Sequence, residues 1–164
     1  KETGLAVETK WPNDLLIAGA KFAGILTEGE ATAVAIGIGV NCAGHPAGTD
    51  YPATDLTAAG AKVSAAALFG ALSVTMMERL AQWYRGEHFA TIRTDWLTRA
   101  AGLGRTIRVR LSDREIAGCF ETLDNAGRLV LVEPDGSRQV IAAGDVVQLI
   151  GSDRLQRQPD GGER

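Results

Sequence analysis

Cysteine and histidine are scarce in this sequence, with two of each among 164 residues. Cys42 and Cys119 lie far apart and show neither CxxC nor Cys/His spacing, which argues against a zinc site and a disulfide-stapled domain. We expect both to be reduced thiols in a cytoplasmic protein, with a structural disulfide as the alternative. His45 and His88 have no other metal-binding residue types nearby at the spacing of a metal site, so metal binding by histidine is not expected.

Long apolar runs and a large excess of one charge are also missing. No stretch reaches the roughly 18 consecutive apolar residues of a transmembrane helix, and no signal peptide is visible, so no membrane partner is expected. The formal net charge of -3 provides no bulk attraction for nucleic acid. An initiator methionine is absent, and a strand is predicted almost at once, so we expect further residues upstream.

What is present has the composition of a globular protein, with 45% hydrophobic and 23% charged residues. The length allows one good core, or one domain with a small appendage. Residues 6–11 predict a strand, and 13–28 predict a β-hairpin that turns at 18–20. The run 32–41 is almost entirely apolar or glycine, which predicts a strand buried on both faces.

Two helices are predicted after a loop over 42–62 that is rich in Gly, Pro, Asp and Thr. Ser64 is a suitable N-cap for the first helix, over 65–85. The second helix spans about 88–101, each helix carries an apolar stripe at helical spacing, and Trp83 and Trp96 are predicted to lie in the core. The stripes consist of Leu68, Leu72, Met76, Leu80 and Trp83 in the first helix, and of Phe89, Ile92, Trp96 and Ala100 in the second.

From Arg105 onward the pattern changes to short alternating strands separated by tight turns. The segments 125–127 (Asn-Ala-Gly) and 134–136 (Pro-Asp-Gly) are strong turn signals. Five short strands in so short a span predict a small barrel, and the polar stretch 152–164 is predicted to be disordered. The strands are predicted near 107–111, 115–123, 129–133, 138–142 and 146–150.

The first motif is Lys-Trp-Pro-Asn-Asp at 10–14, which holds an ammonium and a carboxylate close together where a strand becomes a turn. Such a pair can present Lys10 to phosphate oxygens and Asp14 to Mg²⁺. From spacing alone the preferred interpretation is plainer, namely a surface turn with a Lys/Asp pair and a core tryptophan.

The second motif is Lys-Phe-Ala-Gly-Ile-Leu at 21–26. Lys21 opens a strand whose interior holds Gly24, and a glycine inside a strand often marks the close approach of a ligand or another backbone. Ile25 and Leu26 can form an apolar wall beside it. In isolation, a solvated edge lysine among ordinary core residues is the preferred alternative.

The third motif is Gly-Ile-Gly-Val-Asn at 37–41. Gly37 and Gly39 would let a flat ligand lie against the backbone, and Asn41 offers both a donor and an acceptor. The motif is not GxGxxG and no crossover helix follows closely, so we reject a dinucleotide-binding fold. Tight packing between strands explains the glycines equally well.

Taken together and in this order, the three motifs resemble the central part of bacterial-type biotin protein ligases, and the resemblance extends over about residues 5–150. It implies an α+β fold, with a mixed β-sheet and flanking helices like those of class II synthetases, followed by a Src-homology-3-like β-barrel. Residues 1–102 would be the C-terminal part of the catalytic domain, 103–151 the barrel and 152–164 the tail. Segments that also match are Ala53-Thr54-Asp55-Leu56, Gly118, Leu123-Asp124, Gly127, Leu129 and Ala143-Gly144-Asp145.

The resemblance implies an ATP-dependent enzyme with biotin as its substrate. Biotin and MgATP would give biotinyl-5′-AMP and pyrophosphate. A lysine of the biotin carboxyl-carrier domain of acetyl-CoA carboxylase, or of a related carboxylase, would then take the biotin and release AMP. A homodimer is a further possibility, because some family members pair through a sheet edge.

The family pattern also implies roles for individual residues. Lys21 and Lys10 would be catalytic, because Lys21 would hold the carboxylate and phosphate oxygens and Lys10 would add positive charge nearby. Asp14 would help to place Mg²⁺, and Asn41 would contact the nucleotide together with Lys10. We expect these groups to share one cavity with the biotin slot. The slot would be lined by Lys21, Gly24, Ile25, Leu26, Gly37 and Gly39.

The chain departs from the family pattern in three places. The family's glycine- and arginine-rich loop lies upstream of the first motif and is not found here, so this chain alone is expected to be inactive. A DNA-binding helix-turn-helix is not found either. Residues 146–150 lack an arginine that some members place there. Two other functions therefore stay open, namely a lipoate- or octanoate-type ligase and an inactive fragment that acts only as a binding module.

Overall fold

The computed structural model describes residues 3–49 and 51–149, which form two β-sheets and two helices. The predicted tail, 152–164, lies outside the described residues. The first sheet contains β1 (Val7–Lys10), β2 (Asp14–Ile17), β3 (Ala20–Glu30) and β4 (Ala33–Val40), and it is followed by helices α1 (Ala65–Trp83) and α2 (Phe89–Leu97). The second sheet contains β5 (Thr106–Arg110), β6 (Glu115–Leu123), β7 (Leu129–Val132), β8 (Arg138–Ile141) and β9 (Asp145–Leu149).

The first sheet has the strand order β1-β2-β3-β4, and each pair of neighbours is antiparallel. The predicted hairpin is confirmed, since Ala18 and Gly19 both have positive φ (48° and 78°), the conformation of the two-residue turns that match strand twist. The sheet was expected to combine parallel and antiparallel pairing. Its parallel pairing consists of two isolated bridges, Thr9 with Ala100 and Lys21 with Ala53. These bridges connect the sheet to the segments that follow it.

Strand β4 is mostly exposed, so the prediction that it is buried on both faces is wrong. It is an edge strand that pairs only with β3, and the far half of β3 is exposed as well. Val34, for example, retains 64% of its accessible surface. An apolar run predicts a strand, but the number of neighbouring layers decides how many of its faces are covered.

Helix α1 begins as predicted, with Ser64 Oγ accepting a hydrogen bond from the Ala67 N–H at 3.2 Å. It carries no buried residue, and Leu80 and Trp83 both remain 43% exposed, so the prediction that Trp83 lies in the core is wrong. Trp96 of α2, in contrast, packs against the core of the second sheet. Leu68 packs on the sheet, and a cleft of about 1130 Å³ lies between the rest of the helix and the strands. Neither α1 nor α2, the two α-helices among the described residues, is long and apolar enough to cross a membrane.

The second sheet has the order β8-β7-β6-β5-β9, with antiparallel neighbours. All five strands contribute side chains to one core, so the sheet wraps around a common centre, as expected of the predicted small barrel. Cys119 in β6 and Cys42 are both free thiols, as predicted. The core contains Ile107, Val109, Phe120, Leu123, Leu129, Leu131, Ile141 and Val146, together with Trp11 from the first motif.

The chain passes from helix α2 to the barrel through Gly102, whose φ is +82°. A Cβ at this position would lie 2.8 Å from Ile107 Cγ2 and 2.9 Å from Leu149 Cδ2. Gly104 has a similar φ of +72°, but none of the described residues approaches its Cβ position within 4 Å. Both glycines therefore adopt a positive φ that favours glycine, but only Gly102 is closely packed.

We expect Gly102→Ala to unfold at lower urea concentration than Gly104→Ala. Both variants carry the cost of a side chain at positive φ, while only Gly102→Ala adds overpacking, which costs about 1–3 kcal/mol. Equilibrium urea unfolding of the two variants, followed by circular dichroism, measures the difference. Equal losses of stability would contradict the close packing at Gly102.

Candidate functional site

Six of the predicted site residues line one cleft of about 600 Å³ on the first sheet. Asp14 lines the same cleft, whereas Lys10 and Asn41 lie outside it. The expectation that all the predicted groups share one cavity is therefore wrong for these two residues. The six that line it are Lys21, Gly24, Ile25, Leu26, Gly37 and Gly39.

The register of β3 and β4 explains the open floor of this cleft. Gly24 lies opposite Gly39, and Leu26 lies opposite Gly37. On this face of the sheet, glycine therefore fills both positions of the first cross-strand pair and one position of the second. A Cβ at Gly24 would lie 3.5 Å from both Lys21 Nζ and Asp14 Oδ1. The absence of a side chain at Gly24 therefore leaves the charged end of the cleft accessible.

Lys21 is held by its backbone and by its ammonium group. Its N–H donates to the Pro52 carbonyl at 2.7 Å, and its own carbonyl accepts from the Thr54 N–H at 2.9 Å. Its Nζ donates to Asp14 Oδ1 at 2.5 Å, yet the side chain remains 43% exposed. An ammonium that is anchored on one side and open on the other can bind an anion in the cleft.

Asp14 is buried between two ammonium groups. It pairs with Lys10 across β1 and β2, and with Gly24 across β2 and β3. Its Oδ1 accepts from Lys21, and its Oδ2 lies 3.0 Å from Lys10 Nζ. Both oxygens are therefore occupied by cations.

The prediction that Asp14 places Mg²⁺ does not fit this environment. A divalent cation at Asp14 would displace, or be repelled by, the two ammonium groups that already neutralise it. No group of three or more His, Cys, Asp or Glu side chains among the described residues could hold a metal ion. The geometry gives Asp14 the role of fixing lysines.

Lys10 is buried, with 2% of its side chain exposed. Its Nζ lies 3.0 Å from Asp14 Oδ2 and from Asp145 Oδ1, and it donates to the Val146 carbonyl at 2.8 Å. An ammonium has three hydrogens, so these three acceptors saturate it. The structure therefore does not offer Lys10 to a phosphate, contrary to the prediction.

The ring of Tyr51 covers Lys10, with Nζ 4.6 Å from the ring centroid. Burial raises the pKa of the Tyr51 phenol, and the carboxylates of Asp14, Glu8 and Asp145 raise it further. The ring stays uncharged well above neutral pH as a result. It thus adds a cation–π contact to the buried ammonium.

Asn41 serves the fold around the cleft. Its Nδ2 donates to the Thr54 carbonyl at 3.0 Å, and its backbone carbonyl accepts from Leu56 N–H at 3.0 Å. Its own N–H donates to the Phe22 carbonyl. Asn41 therefore holds the 51–56 loop against β3, and the loop in turn binds the Lys21 backbone, while its nucleotide contact stays a prediction.

Three residues that line the cleft were not predicted as site residues, namely Asn13, Ile38 and Asp145. Asn13 forms a reciprocal pair with Ile25, with Asn13 Nδ2 donating to Ile25 O at 2.7 Å and Ile25 N donating to Asn13 O at 2.9 Å. Asp145, at the start of β9, reaches the cleft from the barrel. The sequence signal for Asp145 is its place in the Ala143-Gly144-Asp145 segment that matches the family pattern, a match that gave it no role in the site.

Two family sequence models match the chain. The model described as the Biotin/lipoate A/B protein ligase family matches residues 1–42, which include all three motifs. The model described as the Biotin protein ligase C terminal domain matches residues 102–148, which include most of the barrel.

Relatives with similar sequences extend over most of the chain. The biotin--[acetyl-CoA-carboxylase] ligase of Paracoccus denitrificans is 42% identical over 147 residues, covering 84% of this chain and 61% of that protein. The protein of the same name from Mycobacterium tuberculosis is 34% identical over 150 residues, covering 90% of this chain and 54% of that protein. The chain thus spans less than two thirds of the length of either relative.

A similar fold occurs in the biotin protein ligase from Aquifex aeolicus that was solved in complex with biotin and ATP. Its TM-score is 0.72 at 22% sequence identity, covering 87% of this chain and 62% of that one. This likeness supports the arrangement of sheet, helices and barrel. The Biotin/lipoate A/B protein ligase model matches the motif-bearing segment, the Biotin protein ligase C terminal domain model matches most of the barrel, and biotin ligases align along most of the chain. The chain therefore belongs to the biotin protein ligase family.

Proposed function

We propose that the protein containing this chain is an ATP-dependent biotin protein ligase, and that the cleft beside Lys21 is where the biotin carboxylate meets the α-phosphate of ATP. The observation that carries the proposal is the half-exposed Lys21 ammonium, anchored on buried Asp14 at the charged end of a glycine-floored cleft. Both substrates bring anionic groups, and one ammonium can attract both. The apolar wall of Ile25 and Leu26 suits the hydrocarbon part of biotin.

The first step of the proposed reaction joins the two substrates. A carboxylate oxygen of biotin forms a bond to the α-phosphorus of ATP, while the bond from that phosphorus to the bridging oxygen breaks and pyrophosphate leaves. Negative charge grows on the phosphoryl oxygens, where a preorganised ammonium is most effective, and this is the role of Lys21. No step involves Mg²⁺ at Asp14, because two ammonium groups occupy that carboxylate.

The second step transfers biotin to a protein. The amine of a lysine attacks the acyl carbon of biotinyl-5′-AMP, the bond to the AMP oxygen breaks, and the amine loses a proton as the amide forms. The partner we propose is the biotin carboxyl-carrier domain of a carboxylase, by analogy with the names of the two relatives. Pairing of two copies through the exposed β4 edge stays a prediction.

Lipoate or octanoate is the alternative acid, because the model that matches residues 1–42 includes lipoate ligases. The match of the biotin-specific C-terminal model favours biotin. Isotope exchange between pyrophosphate and ATP, measured with biotin, lipoate or octanoate in turn, decides between the acids. Exchange that depends on lipoate and not on biotin would overturn the proposal.

We expect Lys21→Gln to lower biotin-dependent exchange by at least about a hundredfold, the usual effect of removing one group that stabilises transition-state charge. Lys62→Gln is the matched control, because Lys62 is exposed and precedes α1. The assay uses the natural protein that contains this chain. Exchange in Lys21→Gln that equals exchange in Lys62→Gln would remove Lys21 from the mechanism.

We expect Gly24→Ala to fold normally and to raise the KM for biotin about tenfold or more. The new Cβ would make only ordinary contacts at 3.5 Å, but it would occupy the space beside the Lys21 ammonium that a ligand needs. A tenfold change corresponds to about 1.4 kcal/mol of binding free energy. Steady-state exchange kinetics measure KM.

The matched control for Gly24→Ala is Gly70→Ala, an exposed position in α1 where none of the described residues lies within 4 Å of the Cβ position. Alanine also favours the helix there. Gly70→Ala should leave the KM for biotin unchanged and melt at the same temperature as the unsubstituted protein or at a higher one. An unchanged KM in Gly24→Ala would place the biotin carboxylate elsewhere.

A further inference from the structure

Four charged side chains form a continuous alternating series from the barrel to the cleft. Asp145 Oδ1 lies 3.0 Å from Lys10 Nζ, Lys10 Nζ lies 3.0 Å from Asp14 Oδ2, and Asp14 Oδ1 lies 2.5 Å from Lys21 Nζ. The series begins in β9 of the second sheet and ends on the exposed ammonium of the first sheet. It therefore connects the barrel to Lys21 through direct contacts.

The barrel end of this series is held rigidly. Val146, the neighbour of Asp145, is 2% exposed in the barrel core, and Asp145 pairs with Arg110 across β5 and β9. A Cβ at Gly144 would lie 2.9 Å from the Arg110 carbonyl, so the backbone just before Asp145 is packed against β5. These contacts fix where the Asp145 carboxylate is presented.

The middle of the series is equally constrained. Trp11, next to Lys10, inserts into the barrel core, and its Nε1 donates to the Gly127 carbonyl at 3.3 Å. Lys10 has three acceptors for three hydrogens and is almost fully buried. Lys10 therefore cannot rearrange freely when one of its partners is lost.

We propose that Asp145 is a positioning residue for the adenylate-forming step, acting through Lys10 and Asp14 on the Lys21 ammonium. This inference rests on the proposed function of the cleft. Asp145 and Asp14 share one ammonium, so weakening the Asp145 contact lets Lys10 draw the Asp14 carboxylate toward itself. Asp14 then holds Lys21 less firmly, and the ammonium leaves the position where transition-state charge develops.

A purely structural role for Asp145 makes a different prediction. Loss of a structural contact would lower the melting temperature and leave the kinetics of the folded enzyme and the reactivity of Lys21 unchanged. A positioning role changes both of these properties while the protein stays folded. The side chain of Asp145 is 61% exposed, so its charge can be removed without burying a new group.

The test compares Asp145→Asn with Asp113→Asn in the natural protein that contains this chain. Asparagine keeps one oxygen acceptor for Lys10 at nearly the same size, removes the charge and replaces the second carboxylate oxygen with an NH2 group. Asp113 is the matched control because it is also in the barrel segment, is 66% exposed, and pairs with a basic side chain, that of Arg114. Two measurements follow, namely kcat and KM in biotin-dependent pyrophosphate exchange, and the rate at which acetic anhydride modifies Lys21, read by peptide mass spectrometry.

We expect Asp145→Asn to lower kcat about tenfold and to change the KM for biotin less than twofold. It should also raise the acetylation rate of Lys21 about threefold. Asp113→Asn should behave like the unsubstituted protein in all three measurements. Asp145→Glu, which restores the charge, should recover most of kcat. An unchanged kcat in folded Asp145→Asn, or a Glu variant as slow as the Asn variant, would overturn the inference. If the unchanged protein shows no biotin-dependent exchange, the proposed function fails first, and the two failures are thereby distinguished.

Discussion

The buried ammonium of Lys10 is the interaction on which the rest of the arrangement depends. A charge with only 2% of its side chain exposed is tolerated because three oxygen acceptors and an aromatic ring replace its lost water. Those acceptors come from both sheets, so the ammonium can be satisfied only when the barrel is docked. Because Asp14 belongs to the first sheet whereas Asp145 and Val146 belong to β9, these contacts favour the docked arrangement.

The first motif therefore connects the first sheet to the barrel and also contributes to the cleft beside Lys21. Its tryptophan enters the barrel core, its lysine binds the start of β9, and its aspartate holds Lys21 at the cleft. Three functions fit into five residues because Lys10 ends β1 and pairs with Asp14 at the start of β2, while Trp11 lies in the turn between them. Trp11 and Asp14 can thus serve two different parts of the molecule.

The sequence allowed the elements to be predicted more completely than their surroundings. Glycine-marked turns and alternating patterns located the hairpins and the barrel strands, because those signals are local. Burial of β4 and orientation of Lys10 were missed because both depend on distant neighbours. Lys10 meets Asp145 across 135 residues of sequence, and no spacing rule reports such a contact. Gly24, Gly37 and Gly39 line one cleft with Lys21 because β3 pairs with β4 in a hairpin, while their role in binding a ligand stays a prediction.

The difference between the two lysines follows from where their partners lie. Lys10 is surrounded by acceptors and has no ammonium hydrogen left to donate, whereas Lys21 has one ion-pair partner and an open side. Asp14 is shared, so it neutralises neither lysine completely, and part of the positive charge of Lys21 stays available to an anion in the cleft. Asp145 lines the same cleft with a negative charge, which disfavours anions near the barrel. The alternating series thus leaves the Lys21 ammonium as the group that faces an anion in the cleft.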